Sequence, residues 1–313
     1  MIGKQKIQLL KIIKGDVFYY MNKNLELGNR MKNYYEQVSK TKLMRKCPVA
    51  IRIDGRAFRT FTRGFQKPFD EVLIKSMQET MKYLCENIQG CVLGYTQSDE
   101  ITLILTDYKN IDSDAWFDYE VEKLCSVSAS MATMAFNKAF EKNVKMFEHE
   151  MVSYYIADYH DQIIQSAIYR KALDKGATFD ARCFNIPREE VTNLLYWRQI
   201  DAIRNSIQMV GQANFSQEEL QNKSCNDIQD ILMNQKGINW NDFPTYQKRG
   251  SCCVKVNHFI ENEKGTQICF PKGCSEPFED EETLTGVYRS NWIIDTEIPI
   301  FKGEGREYIE KLL

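Results

Sequence analysis

The chain has 313 residues, 43% of them apolar and 27% charged, enough for one large or two modest domains around a substantial core. Its formal net charge is −2, and no apolar run approaches the ~18–20 residues of a membrane-spanning helix. These values exclude a uniformly basic nucleic-acid coat and a helical membrane anchor. The charge is unevenly spread: residues 1–70 carry 16 Lys/Arg against 5 Asp/Glu, and the rest carry 25 against 38. A basic first quarter suits an anionic partner such as nucleic acid or a triphosphate, or is a solvated charged face. Ten cysteines follow no regular framework, and no small-residue cleavage site follows the patch Ile7–Ile13. Reduced thiols in a cytoplasm are therefore expected.

Residues 1–24 read as an N-terminal extension. Met21 precedes a segment that looks like a natural beginning, so translation is expected to start there as an alternative to Met1. Leu27 to Val38 has the pattern of an amphipathic helix, and Lys40 to Lys46 is a basic connector. Pro48 opens a buried strand, Val49–Ile53, that runs into Asp54-Gly55. Asp70 is placed to cap a helix reaching about Asn87. Two apolar runs, Val92–Tyr95 and Ile101–Leu105, flank Gln97-Ser98-Asp99-Glu100 as the arms and tip of a hairpin. A helix around Leu124–Phe140 is rich in Ser, Ala and Thr, which suits close packing on a sheet. Ala177–Ile186 reads as another strand.

That order, strand-helix-strand-strand-helix-strand, is the ferredoxin-like one. The predicted class is α+β, an antiparallel sheet with two helices on one face and the other face open to a substrate. Residues 25–187 form this predicted palm, and 188–256 a mainly helical region. In that region Ser216-Gln217-Glu218-Glu219 is a capping box, Asp227–Met233 a helix stopped by Gly237, and Ser251–Val256 a strand. Residues 257–313 are a C-terminal extension. Cys252, Cys253, Cys269 and Cys274 lack paired ligand spacing and have only His258 nearby, a poor zinc pattern.

On such a palm, an acid ending the first strand faces acids on the hairpin tip. Hard cations take carboxylate oxygens, and Mg²⁺ accepts one or two from protein, with water and phosphate completing its shell. Asp54 and Asp99 are the candidate ligands of two metal ions, the Gly55 carbonyl a candidate neutral ligand, and Glu100 a third acid or local orienter. The simpler reading is that Asp-Gly is a turn and the acids face solvent. Phosphoryl transfer proceeds by positioning and charge stabilisation, so basic groups are expected around the acids. Arg52, Arg56, Lys67 and Lys123 are the candidates. No Ser-His-Asp or Cys-His arrangement, Walker-type loop or G-x-G-x-x-G is present, and His149, His160 and His258 are scattered.

Six separated motifs then appear in one order. They are Arg52-Ile53-Asp54-Gly55-Arg56-Ala57-Phe58, Lys67-Pro68-Phe69-Asp70, Tyr95-Thr96-Gln97-Ser98-Asp99-Glu100, Phe179-Asp180-Ala181-Arg182, Tyr196-Trp197-Arg198-Gln199-Ile200-Asp201 and Lys248-Arg249-Gly250. Together they resemble the tRNA-histidine guanylyltransferase superfamily over about residues 25–256. The resemblance implies a polymerase palm, commonly in a homotetramer, that adds nucleotides in the 3′–5′ direction to the 5′ end of tRNA. It implies ATP activation of a 5′-monophosphate, then attack by the 3′-hydroxyl of GTP or another nucleoside triphosphate. By it, Asp54, Gly55 and Asp99 hold two Mg²⁺ and Glu100 supports the acids. Ser98, Lys67 and Lys123 fall at nucleotide-contacting positions, and Arg182, Arg198, Asn205, Lys248 and Arg249 on motifs that place nucleotide or tRNA.

Two departures matter. Where the eukaryotic guanylyltransferases carry His-Ile-Asn-Asn, this chain has Ile203-Arg204-Asn205-Ser206. The missing histidine resembles the guanylyltransferase-like branch, which restores truncated tRNA 5′ ends by templated addition. Asp118 and Glu120 stand where family members are often basic. The expected activity is templated repair. The alternatives are addition of the extra guanosine to histidine tRNA, a nucleotide cyclase on the same palm, or a non-catalytic tRNA-binding module.

Overall fold

The computed structural model describes residues 26–153, 159–261, 268–271 and 286–313, with side chains described outside 151–159 and 258–288. The expected N-terminal extension and start at Met21 lie outside the described residues.

Among the described residues seven strands form one antiparallel sheet: β1 (Val49–Gly55), β2 (Cys91–Gln97), β3 (Glu100–Leu105), β4 (Phe179–Asn185), β5 (Ser251–Glu261), β6 (Ile268–Pro271) and β7 (Gly286–Asp295). The order is β4-β1-β3-β2-β5-β6, with β7 also on β5. Its first four strands are the expected ferredoxin-like set. β7 pairs along β5 from Cys252 to Glu261, so β2 and β6 share the other edge of β5, at 251–254 and 256–259. The sheet thus runs past the palm into the C-terminal residues.

Alternation along β1 sorts its side chains. Val49, Ile51 and Ile53 join one core with the helices α2 (Glu71–Asn87) and α3 (Val121–Ser153). Asp70 caps α2 as expected, accepting the Leu73 N–H at 2.9 Å. The small residues of α3 do pack closely: Ser128 and Ala132 are buried, the Thr133 hydroxyl accepts the Phe179 N–H, and Asn137 bonds both polar groups of Ala177. A further helix, α4 (Tyr159–Lys175), returns along α3 and had no counterpart among the sequence expectations. The segment after Gly55 is nailed down by phenylalanines at helical spacing. Phe58 and Phe61 lie in a single helical turn, α1 (Phe58–Phe61), and with Phe65 they meet Phe136, Phe140 and Phe179 at ring separations of 5.1–5.8 Å. That leaves the intervening Arg56, Arg59 and Arg63 exposed.

The second face carries Ala50, Arg52 and Asp54 of β1. It is not wholly open, as the strand order alone suggested. Val191 and Leu195 of α5 (Arg188–Asn214), with Ile298, Phe301 and Ile309 of the C-terminal segment, bury its far half against Ala50, Leu93 and Ile104. Gln199 clips this segment down, donating to the Pro299 carbonyl and accepting the Phe301 N–H, both at 2.9 Å. Beyond α5, the short helices α6 (Gln217–Leu220) and α7 (Cys225–Ile231) each begin with a capping box, and α8 (Thr245–Arg249) leads into β5. Glu26–Met31 is helical and then continues as a wider turn at Lys32–Glu36 that buries nothing, so the amphipathic pattern there has no core to face. No described helix is long and apolar enough to cross a membrane.

Candidate active site

The uncovered end of the second face is where β1 ends and the β2–β3 hairpin turns. Only Ser98 and Asp99 separate β2 from β3, and Ser98 takes a left-handed φ of 50° to close the turn. In register, Asp54 sits opposite Glu100 on one side and Asp180 on the other. The Gly55 N–H donates to the Asp99 carbonyl at 3.1 Å, tying the strand end to the hairpin tip. A Cβ on Gly55 would lie 2.2 Å from Phe58 Cδ2, well inside contact distance, so the approach requires glycine.

The three acids live in different surroundings. Glu100 is buried and paired: Arg198 grips it through Nε at 2.7 Å and Nη2 at 2.9 Å, and Arg52 Nη2 reaches it at 2.6 Å. Three of its roughly four lone-pair sites are committed to two guanidiniums. Among the described residues the one ion pair of Asp54 is with Arg182 Nη2, at 3.8 Å, and Arg182 is shared with Asp180 at 3.6 Å. Burial, then the charges of Glu100 and Asp180, push the Asp54 carboxyl above its ordinary range. Asp99 accepts the Ser98 hydroxyl at 3.0 Å, and burial, with Asp54 beside it, raises it as well. Two under-neutralised carboxylates on adjoining strand ends fit a hard divalent cation such as Mg²⁺. Among the described residues no group of three or more His, Cys, Asp or Glu is placed to hold a metal ion. The donor set suits a metal that takes most of its shell from water and phosphate.

The predicted basic residues divide into groups. Arg52 and Arg182 flank Asp54 along the strands. Arg56 and Lys67 are exposed with no ion-pair partner among the described residues. The loop carrying Lys67 is fixed by Asp70, which accepts the Gln66 N–H at 2.9 Å and the Tyr169 hydroxyl at 2.7 Å. Lys123 lies in the first turn of α3, where the neighbouring Val121 carbonyl accepts the Cys183 thiol, three residues along β4 from Asp180. There it faces Glu120 at 3.9 Å and the Phe117 ring, and Asp118 is held low by Lys42 and Arg45.

Arg198 is buried, so it acts on the site through Glu100. It also reaches Asp201 at 3.1 Å, and Asp201 accepts Asn205 at 3.4 Å, one turn further along α5. Ser206 donates to the Lys248 carbonyl, while Lys248 Nζ lies over the Trp240 ring and bonds the Asn241 carbonyl at 2.5 Å. Arg249 Nε donates to the Ile298 carbonyl, and its own carbonyl accepts the buried Tyr95 hydroxyl at 2.7 Å. Asp54, Gly55, Ser98, Asp99, Glu100, Arg52, Arg182 and Arg198 are therefore one cluster. Asn205 joins it through Asp201 and Arg198. Sequence reasoning gave no role to Asp180 or Asp201. The period of two along β4 places Asp180 beside Arg182 on the face of Asp54, which is the signal that finds it.

The comparisons agree with this geometry. The sequence matches the family described as tRNAHis guanylyltransferase (Thg1) over residues 28–187. Among solved structures, a bacterial tRNA(His) guanylyltransferase (Thg1)-like protein in complex with ATP is 38% identical and superposes with a TM-score of 0.67, covering 91% of this chain and 98% of that one. The same kind of protein in complex with GTP gives 36% identity and a TM-score of 0.64, covering 92% and 98%. The tRNA(His) guanylyltransferase of Saccharomyces cerevisiae is 26% identical over 72% of this chain and 90% of its own length. With the palm, the paired acids and these relatives in agreement, the chain belongs to the tRNAHis guanylyltransferase (Thg1) family of nucleotidyltransferases.

Proposed function

We propose that the protein adds nucleotides in the 3′–5′ direction to the 5′ end of tRNA, directed by the opposing strand, and so repairs truncated tRNAs. The observation that carries this reading is the tie between Gly55 and Asp99, which holds Asp54 and Asp99 side by side while Glu100 is engaged by two arginines. Asp54, Asp99 and the Gly55 carbonyl would hold two Mg²⁺ ions. Bound there, such ions lower the pKa of an attacking hydroxyl and offset charge on the leaving oxygen. Arg56 and Lys67 supply unpaired positive charge for triphosphate, and Ser98 orients Asp99. Arg182, Asn205, Lys248 and Arg249 form the flank along which the RNA end is placed. The 5′-monophosphate attacks the α-phosphorus of ATP, pyrophosphate leaves, and the end is adenylylated. The 3′-hydroxyl of GTP or another nucleoside triphosphate then attacks, and AMP leaves.

Templated repair is supported by Ile203 at the position of the eukaryotic family's histidine. The relatives' names favour the second reading, addition of one guanosine to histidine tRNA. A homotetramer working in the cytoplasm is the proposed setting. One assay separates the readings: protein, Mg²⁺, ATP and all four nucleoside triphosphates with a 5′-truncated tRNA whose opposing 3′-strand base is varied. Incorporation that tracks the opposing base is expected. Guanosine addition regardless of that base overturns the templated reading, and cyclic nucleotide formed without RNA assigns a cyclase.

A further inference from the structure

Trp197 has no role in the chemistry described above, yet its surroundings are specific. It is 52% exposed on α5, a helix whose neighbouring Leu195, Arg198 and Gln199 are buried. The Arg52 guanidinium carbon lies 5.3 Å from its ring centroid and that of Arg198 lies 4.6 Å away. Both guanidiniums end on Glu100, so the indole is braced by groups that are themselves fixed. Arg52 precedes Asp54 by two residues on the same face of β1, which puts the indole on the acid-bearing face, beside the catalytic end. One turn along α5, Ile200 is 45% exposed and extends the apolar surface.

An open, rigidly held aromatic ring beside a cation and a phosphate-handling pair of acids matches the two parts of a nucleotide. The acids and the unpaired Arg56 and Lys67 address phosphate, and the ring addresses a base. Resting on the nucleotidyl-transfer reading, we propose that Trp197 is a stacking platform for a nucleobase at the catalytic centre, either that of the incoming nucleotide or that of the terminal residue of the RNA. Every base has a π-face, so such a platform positions the reacting end without choosing its sequence, and a pre-braced ring loses little freedom on binding.

The test uses the full chain and its tryptophan fluorescence. Wild type and Trp197→Phe are titrated in one arm with GTP alone and in the other with a 5′-truncated tRNA without nucleotide, so that no chemistry proceeds. The platform predicts quenching in one arm that is missing from Trp197→Phe; which arm responds assigns the base to the nucleotide or to the RNA. Trp197→Ala is expected to weaken that same ligand about five- to hundred-fold, with substantial recovery in Trp197→Phe and none in Trp197→Leu. A role confined to bracing Arg52 and Arg198 predicts equal effects of Phe and Leu and no ligand-dependent quenching. RNA retained in a filter assay with Trp197 emission unchanged in both arms overturns the platform. So does a Trp197→Ala protein that changes oligomeric state while binding both ligands as wild type does, since the ring would then be a subunit contact. Nucleotide addition by wild type is measured in parallel: quenching without addition leaves the platform standing and removes the repair reading.

Discussion

Arg198 holds Glu100 by two hydrogen bonds, of 2.7 and 2.9 Å, and the side chain of each is less than a tenth exposed. The pair joins α5 to the tip of the β2–β3 hairpin, and Arg52 closes it from β1 at 2.6 Å. Removing Arg198 would leave the buried Glu100 with Arg52 as its remaining partner, so the cost should lie at the lower end of the ~3–5 kcal/mol typical of a broken buried pair. Arg198→Ala is expected to lower unfolding free energy by about that amount in urea denaturation. Arg198→Lys should recover only part, because an ammonium cannot reproduce the bidentate fork. A loss in Arg198→Ala below ~1 kcal/mol, the scale of a surface pair, would mean that Glu100 is not anchored in this way.

The other two acids predict the opposite sign. Burial and neighbouring carboxylates raise Asp54 and Asp99 in the folded chain. A raised folded value means that the folded chain binds the proton more tightly than the unfolded one. The metal-free fold therefore gains stability as pH falls through the raised value and carries a penalty above it. At neutral pH in EDTA, Asp99→Asn should melt at a higher temperature than wild type, and the gap should close toward acid pH. Mg²⁺ should raise the wild-type melting temperature and leave Asp99→Asn nearly unchanged, while nucleotide addition falls to background. A lower melting temperature for Asp99→Asn in EDTA at neutral pH would contradict the upward push that burial gives the Asp99 carboxyl.

Much of this site can be read from the sequence because strand periodicity and turn chemistry are local. Val49–Ile53 running into Asp54-Gly55, and Ser98-Asp99 between apolar runs, fix where the acids fall before any tertiary contact is known. The ferredoxin-like order then brings the two stretches to one end of the sheet. What stays hidden depends on partners far away in the chain. The sequence leaves Glu100 as a third acid or a local orienter, and only the fold brings Arg198, 98 residues later, onto its carboxylate. The immediate surroundings of Lys123, Glu120 at 3.9 Å and the Phe117 ring, likewise come into view only in the folded chain. The C-terminal residues look uninformative because Phe301 and Ile309 acquire a core only when Gln199 and β7 bring them onto the sheet.

That C-terminal contact is itself testable. Phe301 is fully buried against Tyr95 and Tyr308, at ring separations of 5.9 Å in both cases, and its N–H bonds to Gln199, the residue after Arg198. Phe301→Ala should cost ~3–5 kcal/mol, as truncation of a buried aromatic generally does. Because the cavity opens beside α5, the rate of addition should fall together with stability. Phe301→Leu, which keeps most of the volume, should restore both. Full stability in Phe301→Ala would show that the segment only lies on the surface of the palm.

Gly55 gives the sharpest separation of geometry from stability. Its Cα faces the Phe58 ring, and Phe58 is boxed by Phe61, Phe136 and Phe179 at 5.1–5.5 Å, so neither side can retreat. Forcing one methyl group into such packing costs ~1–3 kcal/mol. The chain can relieve it only by moving the end of β1, and with it the N–H that holds the Asp99 carbonyl. Gly55→Ala should therefore remain folded but lose the Mg²⁺-dependent rise in melting temperature and at least ~100-fold in addition rate, the scale set by small misplacements of reacting groups. Adding Phe58→Leu to Gly55→Ala makes room for the methyl group and should return part of both. If Gly55→Ala keeps the wild-type response to Mg²⁺, the Gly55–Asp99 tie does not set the spacing of the acids.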